Sequence, residues 1–246
     1  AAYKRGAQVD HVISLEVVTG EGRRITCSRE RERALYDAVL AGLGQCAIIV
    51  RATLRLVPAP DCVHHSAISY RDQWTFLSDL RELAAREELD GVSGTIYPTA
   101  AGGPRYELNT FSFHALSEAP LVDHDLGTFS GQARTDTQHS YLDFYLQVDR
   151  LIDSLREENR WDGWTRPWVD VFVPEEHIDD WLSDVVPALG AEDVGPPELG
   201  ALGQVHLFPL RRRYLKQPLL RVPSSEWVYL FDILSSSHRP QMPDYT

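Results

Sequence analysis

Two prolines around an alanine, Pro58-Ala59-Pro60, divide the chain into a short first block and a longer second block. They directly follow the alternating apolar run IIVRATLRLV over residues 48–57, whose period of two predicts a β-strand. Proline has no amide hydrogen and cannot continue a central strand, so the strand must end there. We therefore predict two structural units, residues 1–60 and residues 61–246.

The first block has the pattern of two strands, a helix and a third strand. A β-branched apolar run over 12–18 and a return run over 24–27 flank the turn Thr-Gly-Glu-Gly, which predicts paired strands. Apolar residues at helical spacing over 32–40 predict a helix that ends at Gly42.

The second block alternates predicted strands with three predicted helices, which is the pattern of an α+β fold with an antiparallel sheet flanked by helices. The polar stretch 117–138 and the Gly- and Pro-rich stretch 190–203 are predicted to be loops. Strands are predicted over 64–70, 93–97, 105–113, 169–173, 204–210 and 227–234, and helices over 72–88, 141–158 and 174–186.

Composition excludes several classes of function. A net charge of −12 opposes binding to nucleic acid, because neutralising phosphates requires clustered cations. No apolar run approaches the roughly 20 residues of a membrane helix, so no membrane partner is expected. The three cysteines match neither a disulfide framework nor a zinc site, which favours a reducing, cytoplasmic location.

One basic cluster stands out in this acidic chain, at Arg211, Arg212 and Arg213. Its simplest interpretation is a solvated loop or strand end. Contact with an anion is the alternative.

The sequence GLGQCA over 42–47 matches the spacing of a dinucleotide-binding fingerprint, but in the wrong setting. That fingerprint needs a strand before it and a helix after it, so that phosphate meets a helix N-terminus. Here the predicted helix comes first and the strand follows. We therefore predict a tight turn, whose glycines can still bring the backbone close to a ligand.

No metal site and no catalytic residue can be assigned from spacing. His64 and His65 are adjacent, so they point to opposite faces of a predicted strand and cannot share one ion. His114, His124 and His206 are scattered, and a core or solvated role is expected for each. A hydrolase would need a nucleophile paired with a base, and none is evident.

Trp161, Trp164 and Trp168 lie within eight residues, either as core or as the wall of a pocket. On the predicted strand that follows, Trp168 and Asp170 share one face with Phe172, and valines take the other. The valine face suits a core, so we predict that Trp168 and Asp170 face a substrate cavity. The alternative is that Asp170 only caps a local turn. A buried carboxylate needs a partner, which could be solvent, a cationic substrate group or Arg166.

Several segments resemble the cytokinin dehydrogenases. In the first block RGAQVDHV (5–12), LEVVTG (15–20), LYDAVLAGLGQ (35–45) and PAP (58–60) resemble the second half of their flavin-binding domain. In the second block YLDF (141–144), RPWVDVFVP (166–174) and FPL (208–210) resemble segments of their substrate-binding cap.

The resemblance implies an FAD-linked oxidase of the vanillyl-alcohol-oxidase-like superfamily. Residues 1–60 would be the C-terminal half of a PCMH-type FAD-binding domain, and residues 61–246 a substrate-binding cap. Such an enzyme removes a hydride from a small-molecule C–H bond next to nitrogen or oxygen, and passes the electrons to oxygen or another acceptor. The flavin contacts implied for this chain are Gly44, Gln45 and Ile49.

Departures from the family pattern favour a substrate other than cytokinin, in bacterial secondary metabolism. Asp170 stands where the family has Asn, and Asp153 and Ser154 lie where a substrate-binding Glu is expected. The family's flavin-linking His and its Asp base precede the segment that matches Ala1 onward, so this chain alone is expected to be inactive. A flavin-free binding protein or a non-redox enzyme built on the cap is the alternative.

Overall fold

The computed structural model describes residues 3–98, 100, 102–121, 129–158, 161–162, 164–194 and 204–238. Its strands are β1 (Val12–Thr19), β2 (Arg24–Ser28), β3 (Ala47–Leu54), β4 (Cys62–Tyr70), β5 (Gly91–Tyr97), β6 (Arg105–His114), β7 (Ala133–Ser140), β8 (Trp164–Thr165), β9 (Trp168–Pro174), β10 (Val205–Arg211), β11 (Trp227–Leu234) and β12 (Ser237–His238). Its helices are α1 (Arg33–Val39), α2 (Gln73–Arg86), α3 (Tyr141–Glu157), α4 (Ile178–Val185) and α5 (Ala191–Val194).

The first sheet has three antiparallel strands in the order β2-β1-β3. Its small core packs Leu15 and Val17 of β1 with Tyr36 of α1, whose hydroxyl donates to the carbonyl of Val12 at 2.6 Å. Strand β3 lies at the sheet edge, and its Ile48 is 70% exposed. An apolar edge strand of this kind usually lies against another surface.

The second sheet has seven strands in the order β7-β4-β6-β5-β10-β11-β9, and every neighbouring pair is antiparallel. The predicted α+β fold with an antiparallel sheet is therefore confirmed. The three-stranded sheet precedes Pro58-Ala59-Pro60 and the seven-stranded sheet follows it. The domain boundary at residue 60 remains a prediction.

Helices α2 and α4 cover one face of the seven-stranded sheet. Phe76, Leu80 and Leu83 of α2 and Leu182 of α4 are fully buried, because the apolar residues of each helix recur at helical spacing. Asp72 caps α2 by accepting a hydrogen bond from the amide of Thr75 at 2.7 Å. Helices α2 and α4 therefore leave the opposite face of the sheet uncovered.

Helix α3 lies beside that opposite face. It begins after Ser140, whose hydroxyl oxygen accepts from the amide of Asp143 at 3.1 Å. Of its described residues only Leu155 is fully buried, and Leu142 and Tyr145 are 66% and 53% exposed.

Two loop predictions need correction. The predicted loop over 117–138 is wrong from Ala133 onward, because β7 forms there as an edge strand paired with β4. Nearly every side chain of β7 is exposed, so its sequence shows no apolar alternation. Residues 122–128 lie outside the described residues. In the predicted loop over 190–203, α5 forms at Ala191–Val194, and residues 195–203 lie outside the described residues.

The segment before β1 is tied to the second sheet. Tyr3 is 1% exposed and donates its hydroxyl to the carbonyl of Leu89 at 2.7 Å. Lys4 donates to the carbonyl of Glu87 at 3.2 Å. Within the part of the chain that the structure describes, no helix has the length and apolar character needed to span a membrane.

Candidate substrate cavity

A cavity of about 680 Å³ opens on the sheet face that α2 and α4 leave uncovered. Strands β4, β5, β6 and β10 form its floor, α3 forms one wall, and Arg5 and the 57–60 segment reach its rim. Its aromatic lining consists of Tyr97, Phe111, Phe113, Tyr141, Phe144, Tyr145 and Phe208. The volume falls within the roughly 300–1,000 Å³ that small-molecule sites occupy.

Four polar side chains cross the cavity floor, and we call His65, Asn109, Thr95 and His206 the polar row. Asn109 Oδ1 lies 2.7 Å from His65 Nε2, and Asn109 Nδ2 donates to Thr95 Oγ1 at 3.1 Å. Thr95 and His206 lie directly opposite each other in the register of β5 and β10. Directly opposite residues on antiparallel strands share a face, so the row lies on the cavity side.

The contact with Asn109 favours one orientation and one tautomer of His65. Burial lowers its pKa, and the hydrogen bond with Asn109 acts in the opposite direction. A neutral imidazole has one donor and one acceptor nitrogen. Because Asn109 presents its oxygen, His65 Nε2 donates, and Nδ1 is left as the acceptor.

Aromatic rings fix the same imidazole. His65 stacks on Phe111 with ring centroids 4.8 Å apart, and Phe144 from α3 meets the imidazole edge-on at 6.5 Å. Phe111 and Phe144 also contact each other, with centroids 5.3 Å apart. The cavity therefore combines flat apolar walls with a directed hydrogen-bonding floor.

The polar row continues past the cavity onto β11 and β9. Asp232 lies directly opposite His206, and Asp170 lies directly opposite Asp232. Burial is the main cause that raises the pKa of Asp232 to about 7, followed by its hydrogen bond with Asp170 and the charge of that residue. Asp232 Oδ1 is buried and has no hydrogen-bond partner within the described ranges.

The predicted substrate residues lie on the cavity face but do not line the cavity. By register Trp168, Asp170 and Phe172 share the face of Asp232 and His206. Asp170 is two strands away from His206, about 10 Å at the usual strand spacing. Trp168 is 56% exposed on the edge strand β9. Their contact with a substrate therefore remains a prediction.

The other two tryptophans of the cluster have a packing role. Trp161 and Trp164 pack against Leu155 and Leu151 of α3. Arg166 stacks over the ring of Trp161 at 3.6 Å and donates to its carbonyl at 2.6 Å.

The predicted flavin contacts lie in the turn before β3 and on β3 itself. Gly44 has φ of 72°, and a Cβ placed there would meet nothing within 4 Å. Gln45 is exposed and donates to the carbonyl of Leu43 at 3.5 Å. Ile49 on β3 is 47% exposed. The turn therefore presents open backbone and apolar surface, and its contact with a flavin remains a prediction.

Sequence reasoning missed the polar row. Asn109 and Thr95 have the pattern of ordinary polar residues on alternating strands, and His65 was considered only as a metal ligand together with His64. The only available signal was that His65, Asn109 and Thr95 are polar residues on three strands that pair in the sheet. Among the residues that the structure describes, no three His, Cys, Asp or Glu side chains group as metal ligands.

Comparison with known proteins relates this chain to the cytokinin dehydrogenases and to an oxidoreductase. A family model described as "Cytokinin dehydrogenase 1, FAD and cytokinin binding" matches residues 125–245. An uncharacterized oxidoreductase from the fasciation locus of Rhodococcoides fascians is 28% identical over 237 residues, which are 94% of this chain and 52% of that protein. Cytokinin dehydrogenase 7 of Oryza sativa subsp. japonica is 29% identical over 268 residues, covering 93% of this chain and 49% of its own length.

A solved structure shares the fold. The carbohydrate oxidase of Microdochium nivale, in complex with a substrate analogue, has a TM-score of 0.55 and 12% identity, covering 96% of this chain and 52% of that chain. The chain spans about half the length of these relatives.

The matched family model and these relatives relate the chain to FAD-linked oxidoreductases, and the solved structure shows a shared fold. Within that class the chain is a homologue of the cytokinin dehydrogenases.

Proposed function

We propose that this protein is an FAD-dependent oxidoreductase that removes a hydride from a small-molecule C–H bond next to nitrogen or oxygen. The observation that carries the proposal is the cavity of about 680 Å³ on the polar and aromatic face of the seven-stranded sheet. In a homologue of the cytokinin dehydrogenases, that face is the natural place for a substrate.

The turn before β3 supplies residues that fit one side of FAD. The open backbone at Gly44 can approach a ligand closely, and the exposed Ile48 and Ile49 offer apolar surface to a flat ring system. We propose Gly44, Gln45 and Ile49 as the flavin contacts of this chain. When bound, FAD would supply the electron acceptor for the hydride.

The cavity residues would bind and orient the substrate. The aromatic walls suit a flat molecule, and the acceptor nitrogen of His65 suits an N–H or O–H group on it. The neutral imidazole can accept a hydrogen bond from that group or take up its proton. Asn109 and Thr95 act through His65, because they hold its tautomer.

Trp168 and Asp170 are proposed to select the substrate from the edge of the same face. The pair of Asp170 and Asp232 would favour a ligand that donates hydrogen bonds or carries positive charge. We also propose oxygen or another small acceptor as the final oxidant. The unpaired Cys27, Cys46 and Cys62 support a cytoplasmic location, and the relative from a bacterial fasciation locus supports a role in secondary metabolism.

The test is to express the protein with any adjoining coding sequence and to follow flavin reduction without oxygen by small amines and alcohols. The His65→Gln variant should slow substrate-dependent reduction by about 100-fold while keeping its flavin content, the scale expected for loss of a positioned acid–base group. The exposed His177, which lies outside the cavity lining, gives the matched His177→Gln control. A purified protein without flavin that still binds small molecules would instead support the flavin-free alternative.

A further inference from the structure

A second cleft lies apart from the proposed substrate cavity. Residues 211–221 carry five cations and no carboxylate, in a chain whose net charge is −12. Four of these cations, Arg212, Arg213, Lys216 and Arg221, line an open cleft of about 640 Å³. This cleft shares no lining residue with the substrate cavity.

Only part of this positive charge is neutralised inside the protein. Glu87 accepts from Arg211 at 2.8 Å and from Arg213 at 2.9 Å, and Glu226 pairs with Arg211. Among the described residues Arg212, Lys216 and Arg221 have no carboxylate partner.

Arg212 is the most informative of these cations. It is half-buried and donates from Nη1 to the carbonyl of Leu215 at 2.6 Å. Its Nε is buried and finds no acceptor within the described part of the chain. A buried guanidinium nitrogen without an acceptor costs free energy. Because Nε is buried, the ligand contacts of Arg212 would come from its other nitrogens.

The cleft is held in shape from the segment that precedes β1. Asp10 accepts from the backbone amide of Lys216 at 2.8 Å, so this carboxylate holds the loop rather than neutralising a side chain. Gln217 donates to the carbonyl of Val9 at 3.3 Å. A Cβ on Gly6 would lie 2.5 Å from the carbonyl oxygen of Tyr214, which explains the glycine and shows how closely the two segments pack.

We propose that this cleft binds the phosphate group of a phosphorylated small molecule. Like charges gathered in one cleft repel each other, and a dianion relieves that repulsion more than a single carboxylate does. Guanidinium groups form paired hydrogen bonds with phosphate oxygens, and the exposed Lys216 adds a mobile point charge. The cleft volume admits a small molecule rather than a macromolecular surface.

Isothermal titration of the purified chain with inorganic phosphate, pyrophosphate and acetate tests the proposal. Sodium chloride keeps the ionic strength constant, so general screening is equal in every titration. Phosphate and pyrophosphate should bind saturably, and acetate should bind at least about tenfold more weakly because it carries a single charge. No saturable phosphate binding, or equal affinity for acetate, overturns the proposal.

The double variant Lys216→Ala/Arg221→Ala removes two exposed cations from the cleft and should weaken phosphate binding about tenfold or more. The control Arg29→Ala/Arg31→Ala removes two exposed arginines from a turn next to β2 and changes the net charge by the same amount. It should keep the affinity of the unmodified chain, and circular dichroism should show equal melting of all three proteins. An equal loss of binding in both double variants would mean non-specific charge attraction and would overturn the site.

Discussion

Asp170 on β9 and Asp232 on β11 lie directly opposite each other, so their carboxyl groups lie on the same face of the sheet. Burial, and after it the neighbouring Asp170, keep the Asp232 carboxyl protonated to a higher pH than an ordinary aspartate. The pKa of Asp232 rises from 3.8 to about 7. The folded state thus binds more protons than the unfolded state between about pH 4 and pH 7, and the stability that the pair contributes is lost as pH rises through this window.

Replacing Asp232 with Asn should make stability less dependent on pH. Asn cannot ionise and can donate a hydrogen bond to Asp170, so it imitates the protonated acid. We expect Asp232→Asn to stabilise the fold by about 1 kcal/mol at pH 8, allowing for partial solvent screening, and to have little effect at pH 4. Urea unfolding at both pH values measures this, with Asp184→Asn on the exposed surface of α4 as control. A variant that is less stable than the unmodified chain at pH 8 would contradict the raised pKa of Asp232.

Replacing Asp170 with Asn should change the substrate selectivity of the protein. This change restores the residue expected from the cytokinin dehydrogenase resemblance and removes one acid from the pair. In the flavin-loaded protein we expect the ratio of kcat/KM between a cationic and a neutral substrate to fall about tenfold, since a charge contact discriminates on that scale. The unfolding free energy should change by no more than about 1 kcal/mol. Unchanged kinetics on the true substrate would place Asp170 outside substrate recognition.

The imidazole of His65 should titrate below an ordinary histidine. Burial lowers its pKa from 6.5, and the hydrogen bond with Asn109 partly opposes the shift. Removing that bond with Asn109→Leu should therefore lower the pKa further. Two-dimensional NMR of the imidazole nitrogens across pH 4–8 measures both the pKa and the tautomer of His65. If Nδ1 rather than Nε2 carries the proton, the proposed acceptor is assigned to the wrong atom.

Close packing between α2 and β5 gives a stability prediction that does not depend on function. A Cβ on Gly94 would lie 2.5 Å from Phe76 Cζ, so the ring would have to move. We expect Gly94→Ala to destabilise the fold by about 1–3 kcal/mol through overpacking. A Cβ on Gly20 would meet nothing within 4 Å, so Gly20→Ala provides the control, for which a change within about 0.5 kcal/mol is expected. Equal effects of the two substitutions would show that α2 can shift on the sheet to make room for the added Cβ.

The strands that could be predicted are those that bury one face. The run over 204–210 alternates because β10 packs Val205 and Leu207 into the core, and the observed strand is Val205–Arg211. Strand β7 was not predicted because ARTDTQHS buries almost nothing. Its existence depends on backbone pairing with β4, and that pairing leaves no periodic signal in its own sequence.

The sequence predicted which side chains of the candidate site share a strand face, but not their partners on other strands. Alternation correctly put Trp168 and Asp170 on one face of their strand, but it could not reveal the partner of Asp170. That partner, Asp232, is more than sixty residues away in sequence and becomes a neighbour only through the pairing of β9 with β11. The same holds for His65 and Asn109, whose contact depends on the register between β4 and β6.

Flavin binding by this chain gives the last prediction. The turn at Gly44 and the exposed Ile49 cover one side of a ligand, and a ligand held on one side leaves most of its surface in water. We therefore expect the 246-residue chain alone to bind FAD more weakly than about 1 μM. Titration monitored by flavin fluorescence measures the affinity. In the protein expressed with any adjoining coding sequence, Gly44→Val should reduce flavin content, because φ of 72° is strained for a β-branched residue. Gly20→Val, at an open turn without positive φ, should leave the flavin content unchanged. Binding of FAD by the chain alone at micromolar affinity or tighter would mean that the described residues hold a fuller flavin site than this turn.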